Sequence, residues 1–134
     1  MRKKILIVED DTDLLEVMRL SLKSAGYSIA TATNGIEALR KARTLTPDLI
    51  VLDLILPELD GFAVCETLRK DRVTAEVPII VVTGLASEFT RLAGFESGAT
   101  DYVTKPFMPS ELVSKIDGML RVPEKELVLA TAAK

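Results

Sequence analysis

Four short apolar runs in this chain each lead into a chemically reactive residue. Ile5–Val8 leads into Glu9 and Asp10, Leu49–Leu52 into Asp53, Ile79–Val82 into Thr83, and Tyr102-Val103 through Thr104 into Lys105. Apolar runs of this length bounded by turn formers read as buried strands. In an open parallel sheet the carboxyl ends of the strands share one edge, and residues distant in sequence converge there on a crevice. Three carboxylates, a hydroxyl and an ammonium then face one small space.

The segments between these runs carry helical spacing. Leu15, Met18, Leu22 and Ala25 recur on one helical face, with Asp11 or Thr12 as the starting cap and Gly26 as the left-handed stop. A second strand around Tyr27–Thr33 is mixed in polarity, which suits a sheet edge. Asn34-Gly35 turns into a second helix with Ile36 and Leu39 expected inward and Glu37 set to pair with Lys41. A third helix follows Asp60-Gly61 and carries Phe62, Cys65 and Leu68; Ser87 caps a fourth that stops near Gly98. Pro109 opens a fifth, whose inner stripe is Leu112, Ile116 and Leu120. Alternating strands and helices predict a doubly wound α/β domain. Strands one, three and four are apolar on both faces, as central parallel strands are, which gives the order 2-1-3-4-5.

Composition narrows the function. With 134 residues there is room for one domain, and a formal net charge of −3 without a basic stripe argues against nucleic-acid binding by it. The longest apolar runs fall far short of the roughly 20 residues that span a bilayer, and Glu9-Asp10-Asp11 ends the first run too early for a signal peptide. No membrane association and a cytoplasmic location are therefore expected. The chain has no His, which removes imidazole catalysis and His metal sites, and its single cysteine, Cys65, excludes an intramolecular disulfide. Cys65 reads as a small helical hydrophobe.

Ile5-Leu6-Ile7-Val8-Glu9-Asp10-Asp11, Asp53-Leu54-Ile55-Leu56-Pro57, Asp60-Gly61, Val81-Val82-Thr83-Gly84 and Tyr102-Val103-Thr104-Lys105-Pro106-Phe107 occur in an order and spacing that closely resemble the receiver domain of bacterial two-component response regulators. The resemblance runs from about Lys3 to Arg121. It implies a five-stranded, flavodoxin-like sheet flanked by five helices, a receiver domain over residues 3–121, and a C-terminal tail or truncated linker over 122–134.

The chemistry fits the residue types. Carboxylates held together repel, so the cluster should raise a carboxylate pKa or recruit a hard cation. Mg²⁺ suits such a site, because it takes oxygen ligands and keeps several waters. The resemblance implies that Asp10, Asp53 and the Ile55 main-chain carbonyl ligate Mg²⁺ directly and that Glu9 acts through water. It implies that Asp53 accepts a phosphoryl group from a sensor histidine kinase or phosphotransfer protein, forming an acyl phosphate. Lys105 then contributes positive charge, Gly84 gives access to the phosphoryl group, and Thr83 is the sensor hydroxyl. Movement of Thr83 lets Tyr102 turn inward and remodels the face made by the fourth helix, fifth strand and fifth helix. Such a domain is a signalling switch for a downstream effector or output domain and not a turnover enzyme. A cis peptide is implied at Lys105-Pro106.

Several residues have plainer readings beside these. Asp10, Asp11 and Asp60 fit helix caps, and for Asp60 capping is the favoured reading. Tyr102 alone would be an edge-strand packing residue and Lys105-Pro106 alone a turn. The departures from the family pattern also matter. Ile55 and Leu85 stand two positions after Asp53 and Thr83, where members differ and influence the lifetime of the acyl phosphate. Neither side chain can position water, so slow self-dephosphorylation is expected. Met108 stands where a Ser or Asp cap for the last helix would be expected. By analogy with regulators that dimerise through the switch face, Arg91 would meet Glu111 and Asp101 would meet Lys115 across the dimer, whereas Glu96 would face Asp117 with like charge.

Other classes fit less well. A haloacid-dehalogenase-type phosphatase carries its nucleophilic Asp after the first strand with a second Asp two residues on, which Asp10, Asp11 and Asp13 do not clearly supply. A nucleotide-binding fold needs a glycine-rich turn where this chain has Glu9-Asp10-Asp11. Two receiver-like alternatives stay open: a docking module that works without phosphorylation, and a fragment of a longer regulator with a DNA-binding or enzymatic output domain.

Overall fold

The computed structural model describes residues 2–84 and 88–120. Its elements alternate from β1 (Lys4–Val8), α1 (Thr12–Ser24), β2 (Ser28–Ala32) and α2 (Gly35–Leu45) through β3 (Leu49–Asp53) and α3 (Gly61–Lys70). They continue with β4 (Ile79–Thr83), α4 (Glu88–Glu96), β5 (Asp101–Thr104) and α5 (Pro109–Leu120). All four strand pairings are parallel and the order is β2-β1-β3-β4-β5. β3 and β4 are buried along their whole length and β1 along all but its first residue, because helices cover both faces; β2 and β5 are the edges.

Strand alternation divides the apolar residues into two cores. Leu6, Val8, Ile50, Leu52, Ile79 and Val81 face the side covered by α2 and α3, with Val64, Cys65 and Leu68 packed on them. Ile5, Ile7, Leu49, Val51, Ile80 and Val82 face α1 and α5, meeting Met18, Leu22, Leu112 and Ile116. Leu120 packs on the second core while partly exposed.

Capping side chains fix where the helices start. The Asp11 carboxylate accepts the Asp13 and Leu14 N–H groups at 3.0 and 3.2 Å, Asn34 accepts Glu37 N–H at 2.8 Å, and Asp60 accepts Ala63 N–H at 2.9 Å. Asp11 and Asp60 therefore act as caps. Gly26 takes φ 102° just after α1, as its left-handed stop requires. Ahead of α5, Met108 cannot cap with its side chain, but Glu111 reaches back to accept Met108 N–H at 3.2 Å, which is the return half of a capping box. Ser87 and Leu85 lie outside the described residues, as does the tail beyond Leu120.

One orientation differs from the sequence reading. Ile36 is 56 % exposed, and α2 turns Gly35, Ala38 and Ala42 to the core instead. The approach there is too close for a large residue, since a Cβ on Gly35 would lie 2.5 Å from the Leu59 carbonyl oxygen and 2.9 Å from Val64 Cγ2. Ile36, about 100° further round the helix, is carried outward. Leu39 does pack on the core, and Glu37 pairs with Lys41 at 3.3 Å.

Candidate functional site

The carboxyl ends of β1, β3, β4 and β5 bring the reactive residues together. Glu9 follows β1, Asp53 ends β3, Thr83 ends β4 and Lys105 follows β5. Pairing fixes their relative heights, with Asp53 in register with Val82 and Thr83 with Thr104. Glu9 is 1 % exposed, Asp53 4 % and Thr83 fully buried, an unusual depth for carboxylates, which need partners when dehydrated.

Lys105 supplies that partner. Its Nζ lies 2.7 Å from Asp53 Oδ2 and 2.8 Å from Glu9 Oε1, so one ammonium bridges two buried carboxylates. Backbone donors complete the set: Ile55 N–H reaches Asp53 Oδ1 at 3.1 Å and Asp11 N–H reaches Glu9 Oε2 at 3.2 Å. Lys105 is placed by its own N–H, which donates to the Thr83 carbonyl at 2.9 Å, and the Lys105-Pro106 peptide is cis.

The electrostatics follow from this packing. Burial pushes the Glu9 carboxyl up from 4.5 to about 7; the hydrogen bonds from Lys105 and Asp11 oppose that rise and the charge of Asp53 adds to it. Burial also disfavours the Lys105 ammonium, but the hydrogen bonds to Asp53 and Glu9 more than offset it, and its pKa lies above the ordinary value. Glu9, exposed Asp10 and Asp53 each offer a carboxylate oxygen, and these oxygens lie within 4.8 Å of one another, a spacing that suits a shared cation. Beside the cluster a cavity of about 370 Å³ is lined by Asp11, Leu14, Lys105, Pro106 and Phe107. Gly84 is exposed just after β4, and a Cβ there would meet nothing within 4 Å among the described residues. The Ile55 side chain is 57 % exposed.

Tyr102 is 6 % exposed in β5 and packs with the first core, and the Arg91 guanidinium of α4 lies 5.5 Å from its ring centroid. Burial raises the phenol pKa while Arg91 opposes that shift. Of the pairs expected across a dimer, Asp101 and Lys115 meet each other within one chain at 3.2 Å. Asp117 accepts a hydrogen bond from the buried Tyr27 hydroxyl. Burial raises the Cys65 thiol to about 11, in keeping with a packing role. Two arrangements escaped the sequence reading, the Tyr27–Asp117 contact and an Arg69 fork bound by main-chain carbonyls. Spacing alone carries no signal for either.

The receiver fold and strand-end cluster agree with the sequence family. Residues 5–117 match the family described as the response regulator receiver domain, and the chain belongs to that family. Among curated relatives it is 44 % identical over 124 residues to the alkaline phosphatase synthesis transcriptional regulatory protein PhoP of Bacillus subtilis, covering 92 % of this chain and 51 % of that protein. It is 42 % identical over 118 residues to the DNA-binding dual master transcriptional regulator RpaA of Synechocystis, covering 88 % and 49 %. The chain thus spans about half the length of these relatives. A crystal structure of a response regulator from Chloroflexus aurantiacus superposes with a TM-score of 0.86 at 37 % identity, covering 91 % of this chain and all of that one. The receiver domain of a Pseudomonas aeruginosa sensor histidine kinase, with magnesium coordinated in its active-site cleft, superposes at 0.82 with 33 % identity, covering 88 % and 97 %. The chain is a receiver domain of the two-component type. No described helix is long and apolar enough to cross a membrane.

Proposed function

We propose that the chain is a phosphorylation-activated switch in which Asp53 accepts a phosphoryl group from the phosphohistidine of a sensor kinase or phosphotransfer protein. The observation that carries this is a buried Asp53 held at 2.7 Å by Lys105 and flanked by Glu9 and Asp10. Asp10, Asp53 and the Ile55 main-chain carbonyl would hold Mg²⁺, with Glu9 acting through water; the donor set is all oxygen, as that cation prefers. When bound, the cation supplies positive charge against the phosphoryl oxygens.

The side chains do the rest. A carboxylate oxygen of Asp53 forms a bond to phosphorus as the donor's P–N bond breaks, and the electron pair leaves with the imidazole. Lys105, already charged and already on Asp53, is placed to neutralise the transferred group without reorganising. Space at Gly84 that no described residue fills admits the phosphoryl group, and the hydroxyl of Thr83 turns toward it. The rearrangement reaches Tyr102 and the α4–β5–α5 face, where a downstream effector, an output domain or a second copy would read it.

The domain we assign is residues 3–121, with 122–134 as tail or linker. A second reading, favoured by similarity to transcriptional regulators of about twice this length, one of them described as DNA-binding, is that the switch works joined to a DNA-binding output domain. The switch is tested by incubating the protein with Mg²⁺ and acetyl phosphate and weighing it intact. One added phosphoryl group on the parent and none on Asp53→Ala supports it. No gain on a folded parent that binds Mg²⁺ favours a docking module that works without phosphorylation.

A further inference from the structure

At the sheet edge opposite the carboxylate cluster, Arg69 at the end of α3 ties together two connections, α3 to β4 and α4 to β5. Its Nε donates to the Gly98 carbonyl at 2.9 Å, one terminal nitrogen donates to the Val77 and Ala75 carbonyls at 2.6 and 3.1 Å, and the other reaches Thr100 Oγ1 at 3.3 Å. No carboxylate pairs with it among the described residues. A planar fork of donors suits this use, because it holds several oxygens in fixed directions at once.

The α4 end of the network is built to be held. Gly98 takes φ 113° and closes the helix in a Schellman motif, with Ala99 N–H on the Gly94 carbonyl at 3.1 Å and Gly98 N–H on the Phe95 carbonyl at 3.0 Å. Where a Cβ on Gly98 would stand, Arg69 Cγ lies at 2.5 Å, so glycine is required both by the backbone and by the arginine stem. Thr100 extends the tie to β4, since its Oγ1 accepts Ile79 N–H at 3.0 Å and its own N–H donates to the Ile79 carbonyl at 2.7 Å. At the other end, Gly84 at the close of β4 has space beside it that no described residue fills.

We infer that Arg69 is a positioning residue for the switch: it pins the C-terminal turn of α4 to the α3–β4 connection, so that α4 responds to the phosphoryl group by pivoting about Gly98. The inference rests on the reading that phosphorylation of Asp53 remodels the α4–β5–α5 face. It adds a fixed end to that motion, and therefore a direction: the displacement is large near residues 88–92 and small near 97–100.

Backbone amide NMR and hydrogen exchange on the whole chain test it, with and without acetyl phosphate and Mg²⁺, for the parent, Arg69→Met and Arg69→Lys. In the parent, phosphorylation should shift amides at 88–92 and leave those at 97–100 nearly still. Arg69→Met keeps most of the stem and loses every donor. It should take the phosphoryl group as the parent does by mass, yet spread the shifts to 97–100 and speed exchange at Ala99 and Thr100 by tenfold or more even before phosphorylation. Arg69→Lys keeps one donor head and should fall between, which also decides the matter if the Met variant does not fold. Shifts at 97–100 as large as at 88–92 in the parent, or unchanged exchange at Ala99 and Thr100 in the variants, would overturn the pin. Failure of the parent to gain a phosphoryl group is a separate result that overturns the switch, while exchange in the unmodified proteins still decides whether Arg69 holds the turn.

Discussion

Lys105 sits on Asp53, with Nζ 2.7 Å from Oδ2, and the same ammonium is 2.8 Å from Glu9. In the unmodified chain this cation keeps two buried carboxylates compatible, and on the phosphoryl transfer proposed for Asp53 it would already stand beside the new charge. Lys105→Met should therefore slow phosphorylation by acetyl phosphate by roughly a hundredfold, the scale seen when one preorganised donor is lost from a reacting oxyanion. A rate within threefold of the parent would remove Lys105 from the reacting set.

Glu9 gives a pH dependence with a definite sign. Its carboxyl titrates near 7 in the fold and near 4.5 in the unfolded chain, so between those values the folded state holds the extra proton. Stability of the metal-free protein should fall as pH rises from about 4.5 to about 7 and then level, by at most about 3 kcal/mol from this group. A cation competes for the ionised form, so Mg²⁺ affinity should rise over the same window. Thermal melts with and without Mg²⁺ across that range check both slopes, and Glu9→Gln should flatten them.

Two glycines near the site differ sharply in what surrounds them. A Cβ on Gly61 would lie 2.4 Å from the Asp53 carbonyl oxygen and 2.5 Å from Leu54 Cα, whereas one on Gly84 meets nothing within 4 Å among the described residues. Gly61→Ala should push α3 away from the end of β3 and cost about 1–3 kcal/mol in denaturant unfolding. Gly84→Ala should stay within about 0.5 kcal/mol of the parent.

Much of this was legible because burial and chemistry coincide along the strands. Central strands apolar on both faces fix the order, and a carboxylate or ammonium directly after such a run has only the sheet edge to occupy. The helix faces were harder to read. Gly35, Ala38 and Ala42 form the inner face of α2 through close approach to Leu59 and Val64, and small residues leave little hydrophobic signal, which is why apolar spacing alone selects Ile36 for that face. Contacts such as Tyr27 with Asp117, or Arg69 with the Ala75, Val77 and Gly98 carbonyls, depend on how loops return over the sheet, and periodicity does not record that.

The Ile55 side chain stands on the rim of the site, 57 % exposed, with its backbone N–H already on Asp53. An aliphatic group there cannot orient an attacking water. Ile55→Asn, alone or with Leu85→Glu, should shorten the half-life of the phosphorylated protein several-fold, followed by loss of the added mass over time. An unchanged or longer half-life would show that these positions do not limit hydrolysis in this chain.

The most direct measurement is the chemical identity of the modified residue. Borohydride reduces an aspartyl phosphate to homoserine, so the chain treated with acetyl phosphate and Mg²⁺, reduced, digested and sequenced by tandem mass spectrometry should carry homoserine at position 53 and nowhere else. Homoserine at Asp10 or another carboxylate, or none in a protein that had gained a phosphoryl group, would contradict the assignment of Asp53 as the acceptor.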